Sequence, residues 1–321
     1  MGSVGENPTQ MEAMKRAAIP VMGLLGLCLL WSLSSLRADT GSSVVLHRLP
    51  MLQRESFQFV LLAVVAAGIA LVRRVEWQSG RLAWDSLLVA VGMFVAPAVL
   101  ASFAQGLISD LTRVALYSLT PVFALVFEPY VGRGISLQNR GGLLAALVAV
   151  GGTRALFPIE IPGSPAAWLA ACGIVLGVVC VAAANCRAVR VASEAPGKSM
   201  AAVAALTGGF AAIGLAGLSA LTEPTQWYWD AVRPEIEWAA AVELPGLLIL
   251  FWLMRRMSAA RMTTRFLITP LIVNVVGLIL IRPFVTVRAG VGLALIAAGA
   301  GWLLTAREDE TDTEDLALKL N

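Results

Sequence analysis

Residues 116–127 read LYSLTPVFALVF, and residues 265–276 read RFLITPLIVNVV. Each sets Thr-Pro in the middle of an apolar run, and the prolines, at 121 and 270, stand 149 residues apart. Laying the second half under the first at that offset also pairs Ser109 with Ser258, Arg133 with Arg282, Gly141 with Gly290 and Gly152 with Gly301. A serine, a Thr-Pro, an arginine and two glycines in one shared order indicate an internal repeat.

Composition identifies the solvent of that repeat. The chain is 58% hydrophobic and 14% charged, with a mean hydropathy of +0.78, whereas soluble domains carry about 25% charged residues. Apolar windows of about 20 residues, enough to cross roughly 30 Å of hydrocarbon, recur from end to end. The expected fold is an all-α polytopic membrane protein with ten spans: 18–37, 56–73, 83–106, 112–131, 141–158, 165–186, 200–221, 237–255, 263–281 and 288–306. Short connections leave no room for a soluble domain of ordinary size. Small residues in GGLLAALVAVGG (141–152) and LTGGFAAIGLAGLSAL (206–221) suit close helix packing where lipid gives apolar helices no hydrophobic incentive to associate.

Orientation follows from Lys and Arg placement. A cytoplasmic N-terminus puts 16 of the 24 Lys and Arg inside and 8 outside. The connection 222–237 carries Glu223, Asp230, Glu235 and Glu237 against Arg233 alone, which suits the outside, and Trp227, Tyr228 and Trp229 suit an interfacial anchor there. The first apolar stretch follows Lys15 and Arg16 as a secretory signal would, but it lacks a clear small-residue cleavage site. The repeat also needs it, since Arg37 aligns with Arg187 at an offset of 150. The organisation expected is a cytoplasmic segment 1–17, repeats at 18–158 and 165–306, and an acidic cytoplasmic tail at 307–321. Five spans per repeat make the second half enter the membrane from the opposite side, giving inverted repeats, an architecture common in secondary transporters.

The stretch RRMSAARMTTRFLITPLIVNVVGLILIRPFVTVRAGVGLALIAAGAGWLL (255–304) resembles the end of an EamA domain of the drug/metabolite transporter superfamily: a turn with Ser-Ala, a proline-centred helix and a glycine-rich last helix. ISDLTRVALYSLTPVFALVF (108–127), followed by GGLLAALVAVGG, is similar at the end of the first repeat, and the helix around Trp31 suits the first span. The resemblance covers about residues 18–306. It implies a five-plus-five carrier with both termini cytoplasmic and a central cavity lined mainly by helices one, three, four, six, eight and nine. The family often has a glutamate following Leu-Gly after the proline helix; here the corresponding regions read YVGRGIS and LIRPFVT, so no role passes through that acid.

Conventional catalysis has little to stand on. His47 is the one histidine and sits beside Arg48 in a connection; Cys28, Cys172, Cys180 and Cys186 fall in apolar spans without metal-ligand spacing. No phosphate-binding glycine loop precedes a helix, so no cofactor is expected, nor is the chain expected to be an enzyme. The net charge of +3 is accounted for by topology rather than by nucleic acid.

The polar residues within spans are the site candidates. Glu243 lies about six residues, roughly 9 Å, inside the eighth span and close to Pro245; ionisable groups at such depth mark functional sites by default. It is expected to bind substrate or a coupling proton, the alternative being a structural or solvated acid at the outer end. Gln105, Tyr117, Asn185 and Asn274 are able to supply hydrogen bonds in a cavity, or between helices. Trp31 and Trp252 suit an apolar or cation-binding wall, with ordinary packing as the alternative. Pro121 and Pro270 are candidate hinges, since proline removes a backbone donor and clashes with the preceding turn. Arg113 and Arg265, at the starts of the two proline helices and on opposite faces, read as residues that snorkel or contact lipid phosphate.

The function expected is secondary transport of a small organic metabolite or drug-like compound across a bacterial inner membrane, outward, with proton or exchange coupling. The alternatives are a polytopic membrane enzyme acting on a lipid-linked substrate and a non-transporting scaffold. An enzyme calls for His, Asp, Glu or Lys gathered at one membrane face, and no such gathering occurs.

Overall fold

In the computed structural model the described residues are 8–40, 49–75, 80–131, 140–157, 159–194, 200–225, 227–281 and 286–305. His47, Arg133, Lys198, Arg282 and the acidic tail at 307–321 lie outside them. Away from water, backbone groups must be satisfied within their own segment, and each apolar run accordingly closes into a helix. In chain order these are α1 (Pro8–Thr40), α2 (Met51–Val72), α3 (Gly80–Ala104), α4 (Asp110–Val131), α5 (Arg140–Leu156), α6 (Pro165–Glu194), α7 (Met200–Thr222), α8 (Trp229–Leu253), α9 (Ala259–Leu280) and α10 (Val287–Thr305). Among the described residues nine of them are long and apolar enough to cross a membrane, and α5 is a shorter apolar helix. The chain is an all-helical, polytopic integral membrane protein. Large apolar side chains such as Val64, Leu169, Ile213 and Leu221 are correspondingly exposed on the outside of the bundle.

Several boundaries differ from expectation. α1 continues back through residues 8–17, which were expected to precede the first span. α2 starts at Met51 rather than 56, because the hydropathy window excluded Arg54 and Glu55. Its start lacks a side-chain cap of its own. Glu223, at the end of α7, accepts from the Leu52 N–H at 3.1 Å and the Gln53 N–H at 3.3 Å, satisfying donors that a helix start leaves open. α8 starts at Trp229 rather than 237, so WDAVRPEIEW is helical.

Helices at equivalent positions of the 149-residue alignment pack on each other. α2 starts at Met51 and α7 at Met200, and these two form one of the two most extensive helix contacts, the other being α5 with α10. Leu52 meets Glu223, Phe59 and Ala63 meet Gly208, and Ala70 clusters with Ala202. Numbers rise along α2 as they fall along α7, so the pair is antiparallel. The same holds for α5 and α10: Ala145 and Ala149 meet Gly299, Gly152 meets Ile296, and Leu156 meets Gly292.

Two further features recur. α3 widens to a π-turn at Val91–Val95 and α8 at Ala239–Glu243. Each is followed after one residue by a proline, Pro97 or Pro245. A proline ring clashes with the carbonyl four residues back, and the wide turn gives that carbonyl room. Arg37 of α1 is bridged to Glu235 of α8 at 3.0 Å, while Arg187 of α6 is bridged to Asp85 of α3. The two arginines and the two acids each stand 150 apart, and the ion pairs tie α1 to α8 near one end of the bundle and α6 to α3 near the other.

Candidate functional site

A cavity of about 490 Å³ opens between α1, α2, α3, α4, α8 and α9, with Leu215 of α7 also on its wall. The helices that meet there carry charged side chains, a kind of group that is rare in membrane-spanning segments. On one wall the π-turn of α8 ends at Glu243, close to the middle of Trp229–Leu253. The Ser34 hydroxyl of α1 donates to Glu243 Oε1, and the Trp238 indole donates to Ser34 Oγ at 3.2 Å, so the carboxylate is held by a chain of neutral donors. Trp31 lies one turn earlier on α1.

α2 contributes Arg54, Glu55 and Gln58. The Arg54 guanidinium is 3.6 Å from Glu55, and the Gln58 amide donates to the other oxygen of Glu55. On the far wall stand Arg113 and Tyr117 of α4 with Arg265, Phe266 and Pro270 of α9. Arg113 is paired with Asp110 at 2.7 Å, and the Tyr117 and Phe266 rings stack at 5.9 Å between centroids.

A second space of about 860 Å³ shares Arg54 and Arg113 with the cavity and is bounded by Pro50, Gln105, Asp110 and Glu223. It forms a vestibule at the end of the bundle where α2 and α4 begin. Towards the other end the described helices pack on one another. The first turn of α9 packs on α4 and α6, with Ala259 clustered among Ala124, Ala182 and Cys186.

Arg265 follows directly on that packed turn. The sequence reading made it a snorkelling residue, but it is 2% exposed, because the chain breaks at Thr264 and restarts as the Arg265–Ile281 segment inside the bundle. Its Nη1 donates to Asn185 Oδ1 and to the Met262 carbonyl, both at 3.1 Å. Its guanidinium carbon is 4.7 Å from the Phe266 ring centroid and 5.4 Å from that of Trp31, within cation–π range.

Of the residues singled out from sequence, Glu243, Trp31, Tyr117 and Pro270 line the cavity. Gln105 lies at the end of α3 and faces the vestibule instead. Asn185 is buried behind the wall, where its amide donates to the Val181 carbonyl and its oxygen holds Arg265. Asn274 donates to the Pro270 carbonyl one turn back on the same helix, at 2.8 Å, and is not on the cavity wall. Trp252 is also elsewhere, packed over Gly23 with Arg256 on its ring. Pro121 is the second residue of the helical segment that follows the break at Ser118–Leu119, a position where its missing N–H costs least; Pro270 is inside its helical segment.

Sequence reasoning missed Arg54, Glu55, Gln58, Ser34 and Arg265. The signal for the first three was present in LQRESFQF (52–59), where Gln58 stands four residues after Arg54 and three after Glu55, the spacings that make neighbours on a helix surface. The cavity expected from the resemblance included helix six, whereas α2 lines it and α6 supports it from behind.

No protein-family model matches this chain, and no curated protein does. Solved structures do match. One, described only as "Crystal structure of protein", is 17% identical, covers 91% of this chain and 100% of its own, and superimposes with a TM-score of 0.69. A likeness at that identity establishes a shared helical fold and nothing about the ligand.

Proposed function

We propose that this protein is a secondary transporter that moves a small organic metabolite or drug-like compound by alternating access, built from two inverted five-helix repeats of the EamA kind. The observation that carries the reading is the cavity. It lies among apolar helices, joins a vestibule at one end, is bounded towards the other by the packing of α9 on α4 and α6, and is walled by charged side chains. The inverted repeat is supported by the antiparallel packing of α2 on α7 and of α5 on α10, by the recurrence of π-turn and proline in both halves, and by two reciprocal ion pairs that bridge the halves. Swapping the conformations of two such halves moves the opening from one face to the other.

With the basic connections inside, the vestibule beside Glu223 faces away from the cytoplasm, and the membrane is a bacterial inner membrane. Glu243 is the coupling residue, exchanging a proton or a charged group of the solute as the site alternates. Export is the direction proposed.

Untargeted comparison of metabolites in cells with and without the protein selects the candidate solutes, and flux of these into sealed proteoliposomes tests the reading. Saturable, protein-dependent flux of at least one is expected. Flux equal to that of protein-free vesicles for every candidate would overturn it in favour of an enzyme or a scaffold.

A further inference from the structure

Every carboxylate on the cavity wall has a partner, and so do two of its three arginines. Arg54 is paired with Glu55 and Arg113 with Asp110, and Glu243 accepts from Ser34. Arg265 differs. It is almost wholly buried, its two hydrogen bonds go to a neutral amide and a backbone carbonyl, and its buried Nε has no acceptor. The Thr269 hydroxyl, one turn along the same helix and also on the wall, is buried without a hydrogen bond; the Cys28 thiol is close enough to act on it without meeting hydrogen-bond geometry.

A buried guanidinium opposed only by dipoles and ring faces is costly. It is planar, stays protonated, and presents a donor fork that matches a carboxylate or a phosphate better than any neutral group. Ring faces beside it suit the carbon skeleton of a bound molecule.

We propose that the cavity binds its solute by an oxyanion, a carboxylate or phosphate, at Arg265, with Thr269 as a further donor and the Trp31, Tyr117 and Phe266 rings against the remainder of the molecule. The solute is therefore an organic anion. Asn185 is a positioning residue, fixing the fork from behind the wall. The proposal deepens the transport reading and rests on it for the route of entry, but the binding itself is testable without flux.

The test uses the full chain in lipid nanodiscs and measures ligand-dependent thermal stabilisation with matched pairs: benzoate and benzamide, succinate and succinamide, phenyl phosphate and phenol, glycerol 3-phosphate and glycerol. At least one anion is expected to stabilise saturably where its neutral counterpart does not, and the pair that responds tells carboxylate from phosphate. Arg265→Gln is expected to weaken that anion roughly tenfold to a hundredfold, the usual worth of a hydrogen bond to a charged group, and Arg265→Lys to weaken it less. Arg256→Gln, which removes an arginine stacked on Trp252 away from the cavity, is expected to leave it bound. If Arg265→Gln does not fold, the wild-type pairs and Arg265→Lys still decide.

No anion outperforming its neutral partner, or equal anion affinity in wild type and Arg265→Gln, overturns the proposal. Anion binding without flux in vesicles sinks the transport reading and leaves the anion site standing. Flux of a neutral or cationic solute without anion binding does the reverse.

Discussion

Gly299 and Gly301 stand two residues apart on α10, the first against α5 and the second in open space. A Cβ built on Gly301 meets nothing within 4 Å. One built on Gly299 stands 2.5 Å from the Ala145 carbonyl oxygen, 2.7 Å from the Ala149 nitrogen and 2.8 Å from the Ala149 Cβ. These are backbone or near-backbone atoms and cannot rotate away. Ordinary contact begins at 3.4 Å, so the helices must part by several tenths of an ångström or more, loosening the neighbouring approach of Gly152 to Gly292. Overpacking of this kind costs about 1–3 kcal/mol, offset by the roughly 0.5–1 kcal/mol that alanine gains over glycine within a helix. Gly299→Ala should therefore lose on the order of 1–2 kcal/mol, while Gly301→Ala should be neutral or slightly more stable. Reversible unfolding of each full-length variant in mixed micelles reads both values. Equal stabilities for the two variants, or a Gly299→Ala protein as stable as wild type, would refute the reasoning.

Glu243→Gln keeps the shape of the cavity wall and removes its charge; normal membrane insertion is expected, with the pH dependence of flux abolished, and parallel flux–pH curves of equal height for the two proteins would sink the coupling role. For the paired bridges, double-mutant cycles on Arg37 with Glu235 and on Arg187 with Asp85 should each give a coupling of about 0.5–1 kcal/mol, because all four side chains are partly exposed; a vanishing term in either cycle contradicts a structural role for that pair. Single cysteines replacing Lys198 and Arg233 in a cysteine-free background should be labelled from opposite sides of sealed vesicles, and labelling from one side removes the inverted arrangement. Pro245→Ala should let α8 close its wide turn and reduce transport more than insertion, whereas unchanged transport would show that the π-turn does not set the position of Glu243.

The sequence alone determined the medium, the helices and the recurrence. Those are local properties: charge content and apolar run length decide whether a segment lies in hydrocarbon, and Thr-Pro, Ser109 with Ser258, and Arg37 with Arg187 can be matched without coordinates. Glu243 and Trp31 were accessible in the same way, as polar or aromatic residues out of place in an apolar run. What only the tertiary structure decided is which face each helix turns inward. In a soluble helix the core side is apolar and the outer side polar, so the pattern reveals the face; in a bilayer both the lipid side and the packed side are apolar, and that contrast is lost. Hence Arg265 read as a residue reaching for the membrane surface yet lies buried in the cavity wall, Trp252 and Asn274 lie off the cavity, and Gly152 is pressed against α10 while its sequence counterpart Gly301 faces open space. Glu55 was hidden for a related reason: its charge shortened the apolar window, while α2 begins before it, at a start whose open donors are satisfied by Glu223, far away in the chain.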